Sequence, residues 1–106
     1  MPMMALGGDG LVSVIGNAFP NAWAEAMDLA MFGSVKEAES NLADQRELLD
    51  AMFEEGNPTG IKAICDVLGL CGPTPRRPLM PATKEYRDRL YSAIAAVGTG
   101  SVRTEL

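Results

Sequence analysis

The sequence predicts an α/β chain that is mostly helical, with one short strand near its start and four helices after it. Three observations lead there. A β-branched apolar run, Leu11-Val12-Ser13-Val14-Ile15, is entered through Gly7-Gly8-Asp9-Gly10, which is the pattern of a short buried strand behind a turn. Beyond it, apolar residues recur at helical spacing over 20–32, 35–55, 58–68 and 84–97. Prolines, glycines and small polar residues stand between those segments, where helices start and stop.

Taken in order, Met3, Met4 and Leu6 read as the last turn of a helix closed by Gly7 and Gly8. The strand over 11–15 follows. Pro20 suits a first helical turn, which needs no amide hydrogen, and Gly33 suits the left-handed residue that ends a helix over 20–32. That helix has one narrow polar strip, Asn21, Glu25 and Asp28; with Trp23, Met27, Leu29 and Met31 around the rest, it is expected to be covered on more than one side. Ser34-Val35-Lys36-Glu37 has the form of a capping box, in which serine accepts from the Glu37 amide and the glutamate reaches back. The helix it opens runs over 35–55, with Val35, Ala38, Leu42, Leu49, Met52 and Phe53 on the buried stripe and Gly56 as its stop. Asn57-Pro58 repeats the cap-plus-proline start for a short helix over 58–68 bearing Ile61, Ile64, Cys65 and Leu68, ended by Gly69. From Cys71 to Pro81 the prolines at 73, 75, 78 and 81 enforce an extended strap. Thr83 caps the last helix, over 84–97, whose buried face is Tyr86, Leu90, Ile94 and Val97; Gly98 ends it, and 99–106 read as a frayed tail.

One strand before four helices is a physically odd order. A lone apolar strand presents two open rows of backbone donors and acceptors and is normally flanked on both sides. Its neighbours are expected from elsewhere, and the chain is expected to begin inside an element.

Composition narrows the function classes. The chain has 106 residues, 47% hydrophobic and 22% charged, which suits one small globular domain. A net charge of -5 argues against nucleic-acid or anionic-membrane partners, since both need a basic face. No apolar run approaches the ~20 residues of a membrane span, and MPMMALGGDG lacks the basic start of a secretory signal, so the cytoplasm is the expected compartment. Acids outnumber bases seven to two between Lys36 and Glu55, whereas Arg76 to Arg89 holds five bases against two acids. Both runs are read as solvated helix faces or their lead-ins. With no histidine and two cysteines, no metal site is expected. Cys65 and Cys71 flank Gly69 and are close enough in sequence to approach each other, but a cytosolic thiol pair is ordinarily reduced.

The run Met4-Ala5-Leu6-Gly7-Gly8-Asp9-Gly10-Leu11-Val12-Ser13-Val14, followed by Asn17, resembles the last barrel strand of the dihydrodipicolinate synthase family and the loop entering it. Further landmarks keep that family's order: Asn57-Pro58, Lys62 and Leu68-Gly69-Leu70, then Arg77-Pro78-Leu79 with Pro81. The resemblance runs from about Met4 to Val97, with Arg76 and Thr59-Gly60 as departures. It implies a (β/α)8 TIM barrel with a helical C-terminal extension, in an enzyme that condenses pyruvate with aspartate semialdehyde in lysine biosynthesis. It requires no cofactor and implies a homo-oligomeric parent, often a tetramer. Residues 1–33 would then be the end of the barrel (helix tail, strand 11–15, helix 20–32), and 34–106 the helical extension. A whole barrel takes about 250 residues, so this chain is expected to be a C-terminal portion.

The site residues implied are few. In such barrels chemistry sits at the C-terminal ends of the strands. By resemblance, the position of Val12 lines the pyruvate pocket through its backbone, with Gly10 and Ser13 as neighbours. The family forms an imine on a strand lysine, which must be desolvated enough to lose its proton. Gly60-Ile61-Lys62 looks superficially like that signature, but Lys62 follows Asn57-Pro58 at the start of a helix and is read as an exposed or capping cation. No catalytic residue is therefore expected in this chain. Tyr86 and Tyr91 are read as a core and a surface residue of the last helix. Two other functions stay open: a portion of a sister aldolase, of N-acetylneuraminate lyase or keto-deoxy-sugar aldolase type, and a stand-alone helical oligomerisation module.

Overall fold

A computed structural model of the chain describes residues 1–97; Gly98 and the tail expected over 99–106 lie outside the described residues. The order is α1 (Pro2–Ala5), a one-turn 3-10 helix (Ile15–Asn17), α2 (Pro20–Met31), α3 (Val35–Leu42), a second 3-10 turn (Ala43–Gln45), α4 (Arg46–Ala51), α5 (Thr59–Val67) and α6 (Lys84–Val97). Among the described residues there is no strand.

The strand expected over 11–15 is thus the first correction. Residues 9–13 run without regular structure, and Val14 leads into the 3-10 turn. An extended backbone needs a second backbone to bond, and none of the described residues supplies one. Ile15 reaches the core by turning, since the Ser13 hydroxyl accepts from the Gly16 amide at 2.9 Å and the Val14 carbonyl from the Asn17 amide at 3.1 Å.

The helix expected over 35–55 is interrupted. α3 ends at Leu42, a 3-10 turn intervenes, and α4 ends at Ala51, leaving Phe53 half-exposed beyond it. The tighter turn lets Gln45 point inward while Leu48 and Met52 still face the core. Ser34 makes no side-chain cap bond, so the capping box is not formed. Its backbone is used instead: Ser34 N–H donates to the Leu29 carbonyl (2.9 Å) and Gly33 N–H to that of Ala30 (3.1 Å), with Gly33 at φ +86°. This double bond satisfies the end of α2, and a side chain at Gly33 would strain it. Asn57 does not cap α5 either, for that helix starts at Thr59 behind Pro58 with no side-chain cap. Thr83 does cap α6, its hydroxyl accepting from the Tyr86 amide at 3.3 Å.

The helices form two adjoining cores. In the smaller, Met4 of α1 and Ala26 and Ala30 of α2 meet Ala38 and Leu42 of α3. The fully buried residues of α2 are alanines, because small side chains let α3 approach; Trp23, Met27 and Leu29 are partly buried against the cores, and Met31 is exposed. In the larger, α6 lies across α4 and α5, with Tyr86, Leu90 and Ile94 against Leu48, Met52, Ile61 and Ile64. Phe19 and Ile15 close this core from below α2. Trp23 packs against both, and its indole donates to Gln45 Oε1 at 2.7 Å. The proline strap, expected to run extended, is bent and closes one turn at Arg77–Pro78, where the Leu79 amide donates to the Arg76 carbonyl at 3.1 Å; it is tied down where Thr59 donates to the Met80 carbonyl at 3.0 Å.

Candidate functional site

The segment carrying Gly10, Val12 and Ser13 hangs between two anchors. At one end α1 closes at Gly7 (φ +101°), Gly8 N–H donating to the Met3 carbonyl at 2.9 Å, and Met4 is held in the smaller core. At the other, Ile15 is 2% exposed in the larger core. Between them Leu11 is half-exposed and Val12 is 102% exposed. Gly10 is exposed and Ser13 half-buried. The backbone of 9–12 makes no hydrogen bond among the described residues. Two cores thus present a short apolar segment whose donors and acceptors all face solvent, a geometry suited to pairing with another backbone.

The other residues weighed for chemistry do not converge there. Lys62 lies half-buried on α5, in a helix rather than a strand. Val12 itself is wholly in solvent. Tyr86 is buried and its hydroxyl donates to the carbonyls of Ala51 (2.6 Å) and Met52 (2.7 Å); burial pushes its phenol up from the ordinary range. Tyr91 is exposed on the same helix. Both cysteines are free thiols, Cys65 buried and Cys71 exposed. Among the described residues no three His, Cys, Asp or Glu side chains gather as a metal site, and no helix is long and apolar enough to cross a membrane.

Two polar arrangements escape sequence reasoning. Glu55 accepts from both the Thr83 amide (3.0 Å) and its hydroxyl (2.6 Å), which holds its carboxyl below the usual range. It clasps the start of α6 from 28 residues away, a pairing invisible to local pattern. Gln45 is 1% exposed, and its Nε2 has no hydrogen-bond partner among the described residues. Its place between Leu42 and Leu49 on the apolar stripe was the available signal.

The solved structures on which this chain superposes include dihydrodipicolinate synthases. The dihydrodipicolinate synthase of Thermotoga maritima matches with a TM-score of 0.85 and 28% identity over 92% of this chain and 33% of that one. The chloride-inhibited dihydrodipicolinate synthase of Acinetobacter baumannii, complexed with pyruvate, matches with a TM-score of 0.84 and 30% identity over 95% and 34%. In sequence, the 4-hydroxy-tetrahydrodipicolinate synthase of Thermomicrobium roseum is 38% identical over 96 residues, 91% of this chain and 32% of that protein. The model of the dihydrodipicolinate synthetase family matches residues 1–97, and the chain belongs to that family. It spans about a third of the length of the curated relatives it matches.

Proposed function

We propose that this chain acts as the C-terminal portion of a 4-hydroxy-tetrahydrodipicolinate synthase, a Schiff-base lyase of the (β/α)8 barrel class that condenses pyruvate with aspartate semialdehyde. By itself it has no turnover. One observation carries the reading: residues 9–12 form no backbone hydrogen bond, yet Met4 and Ile15 hold the segment from both ends. Paired between neighbouring strands, this segment would become the last strand of the barrel, and the Val12 main chain would line the pyruvate pocket with Gly10 and Ser13 beside it.

The chemistry explains why the remainder is needed. An imine forms when a neutral lysine amine attacks the keto carbon of pyruvate and water leaves. The amine stays neutral near pH 7 where burial disfavours its charged form. Lys62, on a helix, does not meet that need. The assembled protein is read as a cytoplasmic homo-oligomer, a reading supported by large apolar side chains left in solvent, among them Phe32 at 88% exposure.

The test compares the chain alone with a single-chain chimera in which the part of the Thermomicrobium roseum synthase preceding the matched region is joined to this chain. The chimera is expected to condense the two substrates and, on borohydride reduction, to gain the mass of pyruvic acid less one oxygen, since water leaves and two hydrogens are added; the chain alone is expected to do neither. A reduced adduct on Lys62 of the isolated chain, or a soluble and folded chimera that forms no imine, overturns the proposal.

A further inference from the structure

Cys65 packs in the larger core and Cys71 lies on the surface, yet the fold brings the two cysteines to the same turn. Cys65 lies in the last turn of α5. Past the end of that helix Gly69 takes φ +76°, the Gly69 amide donates to the Asp66 carbonyl at 3.0 Å, and the Leu70 amide to the Cys65 carbonyl itself at 2.8 Å. These bonds fold the chain back over the turn that holds Cys65, and residue 71 is one peptide beyond the bond that closes it. Cys71 follows directly on the residue bonded to the Cys65 carbonyl, and its thiol lies near enough to help raise that of Cys65. The environments differ: Cys65 is 7% exposed, whereas Cys71 is open to solvent.

We propose that Cys65 and Cys71 are a dithiol oxidation site, which closes to an intramolecular disulfide when a low-molecular-weight disulfide is the oxidant. A disulfide needs its two Cα atoms within about 4.4–6.8 Å, and the backbone-bonded reversal that ties the Leu70 amide to the Cys65 carbonyl draws Cys71 back toward Cys65. The exposed thiol is the point of entry. The Cys71 thiolate attacks one sulfur of the small disulfide, forming a mixed disulfide and expelling one thiolate. Cys65 then gives its proton to solvent and attacks the Cys71 sulfur, expelling the second. Two protein thiols are oxidised, and one small disulfide is reduced to two thiols. Burial, with Cys71 alongside, pushes the Cys65 thiol up, so closure quickens as pH rises. The bond would fix the loop that delivers the chain from α5 into the proline strap. It does not depend on the catalytic reading above.

The experiment incubates the purified chain with increasing ratios of oxidised to reduced glutathione, quenches with iodoacetamide and measures intact and peptide mass. Closure is expected to give a species lighter by two hydrogens, with both cysteines protected from alkylation and linked in one peptide. Dithiothreitol should reverse it. In the Cys65→Ser variant a glutathione adduct should persist on Cys71, and in Cys71→Ser, altered at an exposed position, Cys65 should stay reduced. A lasting glutathione adduct on wild-type Cys71 with Cys65 still alkylated overturns the proposal, as does a dimer linked through two Cys71 residues. The wild-type mass decides the matter even if Cys65→Ser does not fold.

Discussion

Replacing Gly60 with alanine sets a methyl group where the fold has no room. A Cβ there would lie 1.8 Å from the Met52 carbonyl oxygen, 2.8 Å from its carbon and 2.7 Å from the Tyr86 hydroxyl. Two of these atoms are backbone at the end of α4, so no flexible side chain can swing aside; α5 must back away. The movement also pulls apart the site where the Tyr86 hydroxyl reaches Ala51 and Met52. Overpacking of this kind costs about 1–3 kcal/mol, and the one hydroxyl proton that Tyr86 shares between the two carbonyls is worth about 1 kcal/mol. Alanine recovers at most about 1 kcal/mol of helix propensity. The net expectation is a loss of about 1–3 kcal/mol. Urea unfolding followed by the single tryptophan, Trp23, which lies between the two cores, gives the measurement. Gly72→Ala, where an added Cβ meets nothing within 4 Å, is the control and should change little. An unchanged or raised stability for Gly60→Ala would show that the α4–α5 contact is looser than described and would refute the argument.

Tyr86→Phe should cost about 1–2 kcal/mol, because two carbonyls lose a donor in the interior. Since burial raises the Tyr86 phenol, wild-type stability should be fully present below the unfolded-state value near 10 and fall as pH rises toward the folded one. That alkaline loss should be absent in the phenylalanine variant, and an identical alkaline limb would contradict the assignment. Glu55 works in the opposite sense: its contribution is present above the unfolded-state value near 4.5 and lost as pH falls through the lowered folded value. Glu55→Gln should therefore flatten the acid limb of a stability–pH curve, and a limb of unchanged slope would count against the Thr83 clasp. Val12→Pro should leave unfolding of the isolated chain within about 0.5 kcal/mol of wild type, as for surface substitutions generally. In the chimera it should sharply reduce imine trapping, because proline removes the amide that a central strand donates. Equal trapping by both chimeras would argue against strand pairing at Val12.

Much of this protein was legible as a string of residues. The fold of α6 over 84–97, its Thr83 cap, the burial of Tyr86 and the exposure of Tyr91 were all readable, because each depends on neighbours within one or two helical turns. Family membership was readable for a related reason: ordered landmarks such as Gly7-Gly8-Asp9-Gly10 and Arg77-Pro78-Leu79 are local patterns. Other features answered to distant partners. Whether Leu11 to Ile15 forms a strand depends on a second backbone, which local sequence can request but not provide. The break between α3 and α4 follows from where Gln45 and Trp23 meet, 22 residues apart. The Glu55 clasp and the tight seat of Gly60 under Met52 likewise join separate segments. Sequence sets propensities through short-range sterics and hydrogen bonds, while the final geometry of a lone strand, a helix break or a close backbone contact is decided by what packs beside it in space.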